Sequence, residues 1–286
     1  MFRDGDVVEA TLRGRLKHGP GDRVLVGDRV ELAVHPDGSA TIERVLTRRT
    51  LLKRRSPGRA TGERAVAANV DQVIVVGAAA QPRWDPALID RFTAVAAANE
   101  LPALVVVNKC DLVEDCAAMT EPYRSAGYAT IATSVPLRQG LDVLRERLLG
   151  HTSLFTGPTG VGKSSLLNAL QPGLQLRTGP VSRRSQAGRH TTVSAEMHPF
   201  GELGFVVDTP GLRDVGLWGL APVDVGRAFP EFADFAPHCR FDDCRHLQEP
   251  GCAVVAAVHE GHIAESRLQS YRRLFEEAER ASRPWA

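Results

Sequence analysis

Unbroken apolar runs recur through the middle of the chain, at Val73-Ile-Val-Val76, Leu104-Val-Val-Val107 and Phe205-Val-Val207. Such runs predict parallel strands covered on both faces, because an open face would demand alternation with polar residues. Tyr128-Ala-Thr-Ile-Ala132 and the stretch 151–156, with Leu154-Phe155 inside it, predict two more short strands. Between the runs the period changes. Pro86 starts a segment in which Leu88, Ile89, Phe92, Val95 and Ala96 repeat at three- and four-residue intervals, the spacing of one helix face. Further helices are expected between the second and third strands, over Leu141-Asp-Val-Leu-Arg-Glu-Arg-Leu148, and over Ser165-Leu-Leu-Asn-Ala-Leu170. Strands and helices in alternation predict a doubly wound α/β domain over residues 65–220.

The flanks read differently. In residues 1–64, Val7-Val-Glu-Ala-Thr-Leu12, Val30-Glu-Leu-Ala-Val34 and Ala40-Thr-Ile-Glu-Arg-Val45 alternate loosely, with a Pro36-Asp-Gly38 turn between the last two. They predict a small β module, of a kind that can close into an RNA-binding barrel. Residues 221–286 end in a helix from Glu265, with Leu268, Tyr271, Phe275 and Ala278 on one face.

Charge changes this picture only locally. The 286 residues carry a net charge of +1, so a nucleic-acid partner would have to meet basic patches rather than a global field. One candidate patch holds Arg44, Arg48, Arg49, Lys53, Arg54, Arg55, Arg59 and Arg64. It reads either as a solvated linker or as a phosphate-backbone contact. The N-terminal residues lack an apolar signal core, and no apolar run approaches membrane-spanning length. A cytoplasmic protein with no membrane contact is expected.

Chemistry enters at Gly157-Pro158-Thr159-Gly160-Val161-Gly162-Lys163-Ser164, which fits the phosphate-loop pattern at every fixed position. Its glycines let the backbone wrap a phosphate chain with several N–H groups pointing inward. Lys163 supplies charge for the terminal phosphates, and Ser164 offers a hydroxyl to Mg²⁺. Asn108-Lys109-Cys110-Asp111 follows the second strand. Asp111 can accept two hydrogen bonds from guanine that adenine does not offer, and a buried polar group left unpaired costs roughly 1–3 kcal/mol. Lys109 can lie along the base, Asn108 can tie this loop to the phosphate loop, and Thr133-Ser134 can support the base from the third strand. Asp208-Thr209-Pro210-Gly211 follows the last strand, with Asp208 placed for Mg²⁺ and the Gly211 amide for the terminal phosphate. The expected nucleotide-binding set is these residues together with Ser165.

The motifs resemble those of Ras-like GTPases in the wrong order, with N-K-C-D before the phosphate loop and D-T-P-G last. The same sheet forms if the ends are joined and the chain reopened before Val73, a circular permutation. The D-T-P-G loop then runs directly through residues 212–220 into the C-terminal segment. That segment contains Cys239-x4-Cys244-x-His246-x5-Cys252, three thiols and an imidazole suited to a tetrahedral zinc ion in a unit too short for much core. Of the chain's five cysteines, Cys110 reads only as the free position of N-K-x-D, and Cys116 has no evident role. His238, His259 and His262 read as surface histidines.

Together with Val26-Gly-Asp-Arg-Val30, Ala68-Asn-Val-Asp-Gln-Val73, Leu88-Ile-Asp-Arg-Phe92 and Gly188-Arg-His-Thr-Thr192, these motifs resemble the RsgA (YjeQ/YloQ) family of ribosome small-subunit-dependent GTPases. The resemblance implies a multidomain α/β chain: an OB-type barrel at 1–64, a circularly permuted GTPase at 65–220 and a zinc-binding helical domain at 221–286. It implies hydrolysis of GTP to GDP, stimulated by the small (30S) ribosomal subunit and its rRNA late in that subunit's maturation, by a monomer. Family members usually have one or two more strands before the stretch at 7–16, so a truncated barrel is expected.

Leu212 stands where Ras-like proteins carry a water-orienting glutamine, so slow intrinsic hydrolysis is expected. Thr191 or Thr192 is expected to sense Mg²⁺ and the terminal phosphate. His190 is a candidate to position water, or alternatively a contact to RNA or solvent. An RNA-binding assembly factor with incidental hydrolysis shares every one of these motifs. An ATP-driven enzyme is disfavoured by Asp111.

Overall fold

The computed structural model describes residues 2–3, 6–13, 23–55, 63–174, 176, 195–208 and 220–282. Its centre is a six-stranded sheet of β8 (Gln72–Ala78), β9 (Ala103–Asn108), β10 (Ala129–Ala132), β11 (Thr152–Thr156), β12 (Glu196–Phe200) and β13 (Gly204–Asp208). The spatial order is β10-β9-β8-β11-β13-β12, parallel except for β12 at the edge. The chain winds outward from β8 to β10 and then restarts on the other side with β11. The winding direction therefore switches between β8 and β11, where open α/β sheets place their ligands.

Side-chain alternation along β8 explains the two cores. Ile74 and Val76 pack with Leu144 and Leu148 of α3 (Leu141–Leu148) and Leu166 and Leu170 of α4 (Lys163–Leu170). Val73 and Val75 face the opposite way, onto Ile89 and Phe92 of α1 (Pro86–Ala98) and Tyr123 of α2 (Ala117–Ser125). α1 starts as its sequence dictates, with Pro86 in the first turn and the Asp85 carboxylate accepting from Leu88 N at 3.3 Å.

The N-terminal strands form separate ladders. β1 (Phe2–Arg3) pairs with β2 (Asp6–Val7), and β3 (Ala10–Leu12), β4 (Val30–Val34) and β5 (Ala40–Val45) form a sheet in the order β3-β5-β4. The expected single strand at 7–12 is thus split in two. A closed barrel is not among the pairings of the described residues. Half of the expected linker is a ribbon: β6 (Leu51–Arg55) pairs antiparallel with β7 (Glu63–Ala68), and Leu52 is buried in the core beneath α1. Three of the neighbouring arginines are engaged. Arg48 chelates Asp28 at 2.7 and 2.8 Å, Arg49 meets Asp71 at 3.0 Å, and Arg44 pairs with Glu31.

Two motifs act as a clamp between this module and the sheet. Gly27 has a φ of +88°, and a Cβ there would lie 2.0 Å from the Ala68 carbonyl oxygen. The Asn69 carboxamide donates to Gly27 O and accepts from Arg49 N, while Asp71 accepts from Thr152 N at 2.8 Å at the start of β11.

The C-terminal part comprises α5 (Pro222–Arg227), α6 (Ala253–His259) and α7 (Glu265–Ser282), whose apolar stripe includes Leu268, Tyr271, Leu274, Phe275 and Ala278. Among the described residues no helix is long and apolar enough to cross a membrane. Arg267 lies on the same stripe of α7 and is 1 % exposed. It donates to Asp90 of α1 at 2.5 Å and to Glu231 at 2.6 Å, with its guanidinium 4.4 Å from the Phe229 ring centroid. Burial pushes the Asp90 carboxyl upward against the pull of Arg267. Such a group is expensive to bury but more expensive to orphan. Arg267→Met should therefore cost about 3–5 kcal/mol in urea unfolding; a loss under about 1 kcal/mol would show that the two acids tolerate its removal.

Candidate functional site

The strands end in loops that converge on the switch point. Gly157 follows β11 with a φ of +137°, and a Cβ on it would lie 2.0 Å from Val76 O of β8. Only glycine lets the phosphate loop leave the sheet this closely. The loop then turns through Gly160 and Gly162, both at positive φ, into α4, which starts at Lys163. α4 thus begins two residues earlier than the apolar pattern indicates, so the loop's last N–H groups belong to a helix N-terminus. Lys163 is buried, its Nζ donating to Gly157 O at 2.7 Å and Pro158 O at 2.8 Å. The ammonium thus sits inside the loop's curve, while Thr159 and Gly160 are exposed at its tip and Ser164 and Ser165 half-buried at the helix start.

The N-K-C-D residues are fastened to that loop. Asn108, at the end of β9, is 2 % exposed and donates through Nδ2 to Val161 O at 2.9 Å. Its Oδ1 accepts from the Thr133 hydroxyl at 3.0 Å. A Cβ on Gly162 would come within 2.5 Å of Asn108 Nδ2, so this glycine is what lets the amide approach. Lys109, at a φ of +63°, reaches Gly160 O at 2.7 Å and also donates to Gln81 O. Asp111 stands at the surface, its Oδ1 accepting from the Ser134 hydroxyl at 2.6 Å. A carboxylate has about four acceptor positions, so one hydroxyl orients it and leaves room for two donors on one edge of a base.

Asp208 ends β13, in register with Phe155 of β11 and hence beside the phosphate loop. Among the described residues its Oδ1 is buried without a hydrogen-bond partner. A buried carboxylate oxygen at the end of the strand paired with β11 fits a hydrated Mg²⁺ ion, which prefers one or two carboxylates plus water and phosphate oxygens. The glycine cradle and this oxygen together fit a Mg-nucleotide. Gly211, Leu212, His190, Thr191 and Thr192 lie outside the described residues.

A second cluster lies in the C-terminal part. The ligand atoms of Cys239, Cys244, His246 and Cys252 all fall within 4.8 Å of one another. A tetrahedral zinc ion with bonds of ~2.3 Å to sulfur and ~2.0–2.1 Å to nitrogen sets sulfur–sulfur edges of about 3.8 Å and sulfur–nitrogen edges of about 3.6 Å. Here Cys239 and Cys252 are 3.9 Å apart, and His246 Nδ1 is 3.6 and 3.4 Å from their sulfurs. Burial and the adjacent thiols push the Cys244 thiol up to about 12, while burial lowers His246. The donor set of three sulfurs and one imidazole nitrogen at these separations fits zinc. His238, His259 and His262 are exposed and outside the cluster.

Sequence reading missed what holds the ligand loop. Glu249 accepts from Arg245 N, Leu247 N and Gln248 N. Burial raises its carboxyl, but these backbone donors win and hold it below the usual range. Phe232 and Tyr271 pack their rings against His246, and Tyr271 also donates to Arg245 O at 2.7 Å. An acid two residues after Leu247 is ordinary in sequence, so only the fold exposes its role.

The pair Cys110 and Cys116 also departs from expectation. They form a disulfide, with Cα atoms 5.6 Å apart.

A family model described as RsgA GTPase matches residues 45–218. A small ribosomal subunit biogenesis GTPase RsgA from Gemmatimonas aurantiaca is 47% identical over 279 residues, covering 96% of this chain and 91% of that protein. The crystal structure of YjeQ from Thermotoga maritima superposes with a TM-score of 0.77 at 37% identity, over 98% of this chain and 92% of that one. YloQ, described as a circularly permuted GTPase, gives a TM-score of 0.72 at 28% identity, over 98% and 89% of the two chains.

The dependence of the Asn108 tether on a missing Cβ is testable. Gly162→Ala should weaken nucleotide binding about tenfold or more, the worth of a buried hydrogen bond left unmade. Unaltered affinity in equilibrium titration would mean that the tether does not shape the site.

Proposed function

Because the chain belongs to the RsgA GTPase family, we propose that it binds and hydrolyses GTP in the maturation of the small ribosomal subunit. The observation that carries the reading is the Asn108 network, which joins base-recognition residues and phosphate loop at the sheet's switch point. Asp111 reads guanine, with Ser134 orienting its carboxylate and Lys109 lying along the base. The phosphate-loop N–H groups from Gly157 to Ser165 and the Lys163 ammonium hold the phosphates. Ser164 and Asp208 would hold Mg²⁺, which when bound neutralises charge developing on the phosphate oxygens. Thr191 or Thr192, with the Gly211 amide, would sense the terminal phosphate, and His190 is the candidate to position the attacking water.

Cys239, Cys244, His246 and Cys252 would hold one structural zinc ion. The organisation follows the same reading: an OB-type module at 1–64, the GTPase at 65–220 and the zinc-binding unit at 221–286. The first and last meet the subunit and its rRNA, in the cytoplasm, with the chain acting as a monomer. Leu220 supports a mechanical role for the link, since it is buried in the C-terminal core while Asp208 ends a central strand.

Turnover measured with and without small subunits tests the whole reading. Subunits should raise the GTP hydrolysis rate by at least tenfold, and unstimulated turnover would leave a binding factor with incidental hydrolysis. In the same assay Asp111→Asn should abolish the preference for guanine over xanthine nucleotides; retained preference would remove Asp111 from base recognition. Purified protein should carry about one zinc per chain and Cys252→Ser much less, read by elemental analysis; equal content in both would displace the metal from this cluster.

A further inference from the structure

Cys110 sits between Lys109 and Asp111, the residues assigned above to the base, and it is bridged to Cys116 at the start of α2. Both cysteines lie against one small apolar cluster, but they differ in exposure. Cys110 is 8 % exposed and packs with Ala79 and Val107, against Trp84 and Met119. Cys116 is only half-buried, next to exposed Asp115 and Ala117. Cys110 is therefore the enclosed partner and Cys116 the more accessible one. The Cα separation of 5.6 Å lies within the range that a disulfide requires. The three remaining cysteines belong to the metal cluster, so this pair is chemically separate.

The bond closes a short ring over residues 110–116, and Asp111 is inside it. Backbone bonds already fix the ring's first half: Cys110 N donates to Thr133 O at 3.1 Å and Leu112 N to Lys109 O at 3.0 Å. The second half, through Glu114 and Asp115, is exposed and restrained mainly by the sulfur bridge and by Asp115 capping Ala117 N at 2.8 Å. Reduction returns the two sulfurs to ordinary contact distance and frees this half. A loop with more free conformations loses more of them when a ligand fixes it, and so holds that ligand less well.

We propose that Cys110 and Cys116 form a reversible thiol–disulfide pair whose oxidation slows the release of guanine nucleotide. The proposal rests on the reading of residues 108–111 as the base site. Hydrogen peroxide is the oxidant class. The Cys116 thiolate attacks one peroxide oxygen, the O–O bond breaks, and a sulfenic acid forms as the other oxygen leaves as water after taking up a proton. The Cys110 thiolate then attacks the Cys116 sulfur, the S–O bond breaks, and that oxygen departs as a second water. Two thiols and one peroxide thus yield one disulfide and two waters. A dithiol reductant reverses the step: one of its thiolates attacks Cys116, releasing the Cys110 thiolate, and its second thiol completes the exchange.

The test uses the full chain loaded with a fluorescent GDP analogue, reduced with dithiothreitol or oxidised with peroxide and desalted. Peptide mass spectrometry should map a link between Cys110 and Cys116 in the oxidised sample. Dissociation should then be about three- to tenfold slower than in the reduced sample. Cys116→Ser retains all three cluster thiols and should release nucleotide at one rate under both treatments. Absence of the link, equal release rates despite the link, or a response that persists in Cys116→Ser would each overturn the switch. Failure to bind guanine nucleotide in either state would overturn the base-site reading itself, which binding with redox-independent release would leave standing.

Discussion

A single buried carboxamide holds the site together. Asn108 ends one strand, donates to a carbonyl of the phosphate loop and accepts from the hydroxyl of Thr133 on a third loop. In a buried setting such a group must be satisfied on both sides, so the three loops are fixed relative to one another or the penalty is paid in full. Everything else in the site is arranged around this constraint. Gly162 lacks a side chain where the amide passes, Lys109 crosses to Gly160 on the outside, and Ser134 orients Asp111 from the segment that Thr133 anchors. The parallel sheet supplies the positions because its winding reverses between β8 and β11, leaving the strand ends open at one place.

The second constraint lies on the far side of α1. Arg267 is buried between Asp90 and Glu231, so the helix that covers one face of the sheet is joined to the C-terminal helices by charge as well as by apolar contact. Tyr128, at the head of β10, donates to Ala228 O and lies 5.4 Å from the same guanidinium. The strand that leads to Thr133 and Ser134 is thus in contact with the unit that carries the Cys/His cluster. Asp208 and Leu220 bracket a second connection between the same two parts. Site and cluster are thus joined through ordinary packed structure.

Much of this was legible in the residues. The apolar runs at 73–76, 104–107 and 205–207 became central strands because a strand covered on both faces has no polar side to show. The phosphate loop, N-K-C-D and the Cys/His spacing marked their places because each chemistry needs particular atoms at particular intervals. The β6–β7 ribbon was hidden because Lys53 and the arginines around it outweigh Leu51 and Leu52 in any composition window, although Leu52 is the residue that is buried. Arg267 was hidden for a related reason. A cation on an apolar stripe reads as a surface residue until the acid that meets it, 177 positions away, is brought alongside by folding. The Cys110–Cys116 pair depended on how α2 starts, which no local pattern reveals.

Base selection is the property on which the account turns, since the phosphate loop alone would accept any nucleoside triphosphate. Equilibrium titration calorimetry of the full chain with GDP and with ADP tests it directly. A site built to satisfy guanine's donors should bind GDP at least about a hundredfold more tightly than ADP. Equal affinities would contradict the account, because Asp111 and the network that positions it would then select nothing.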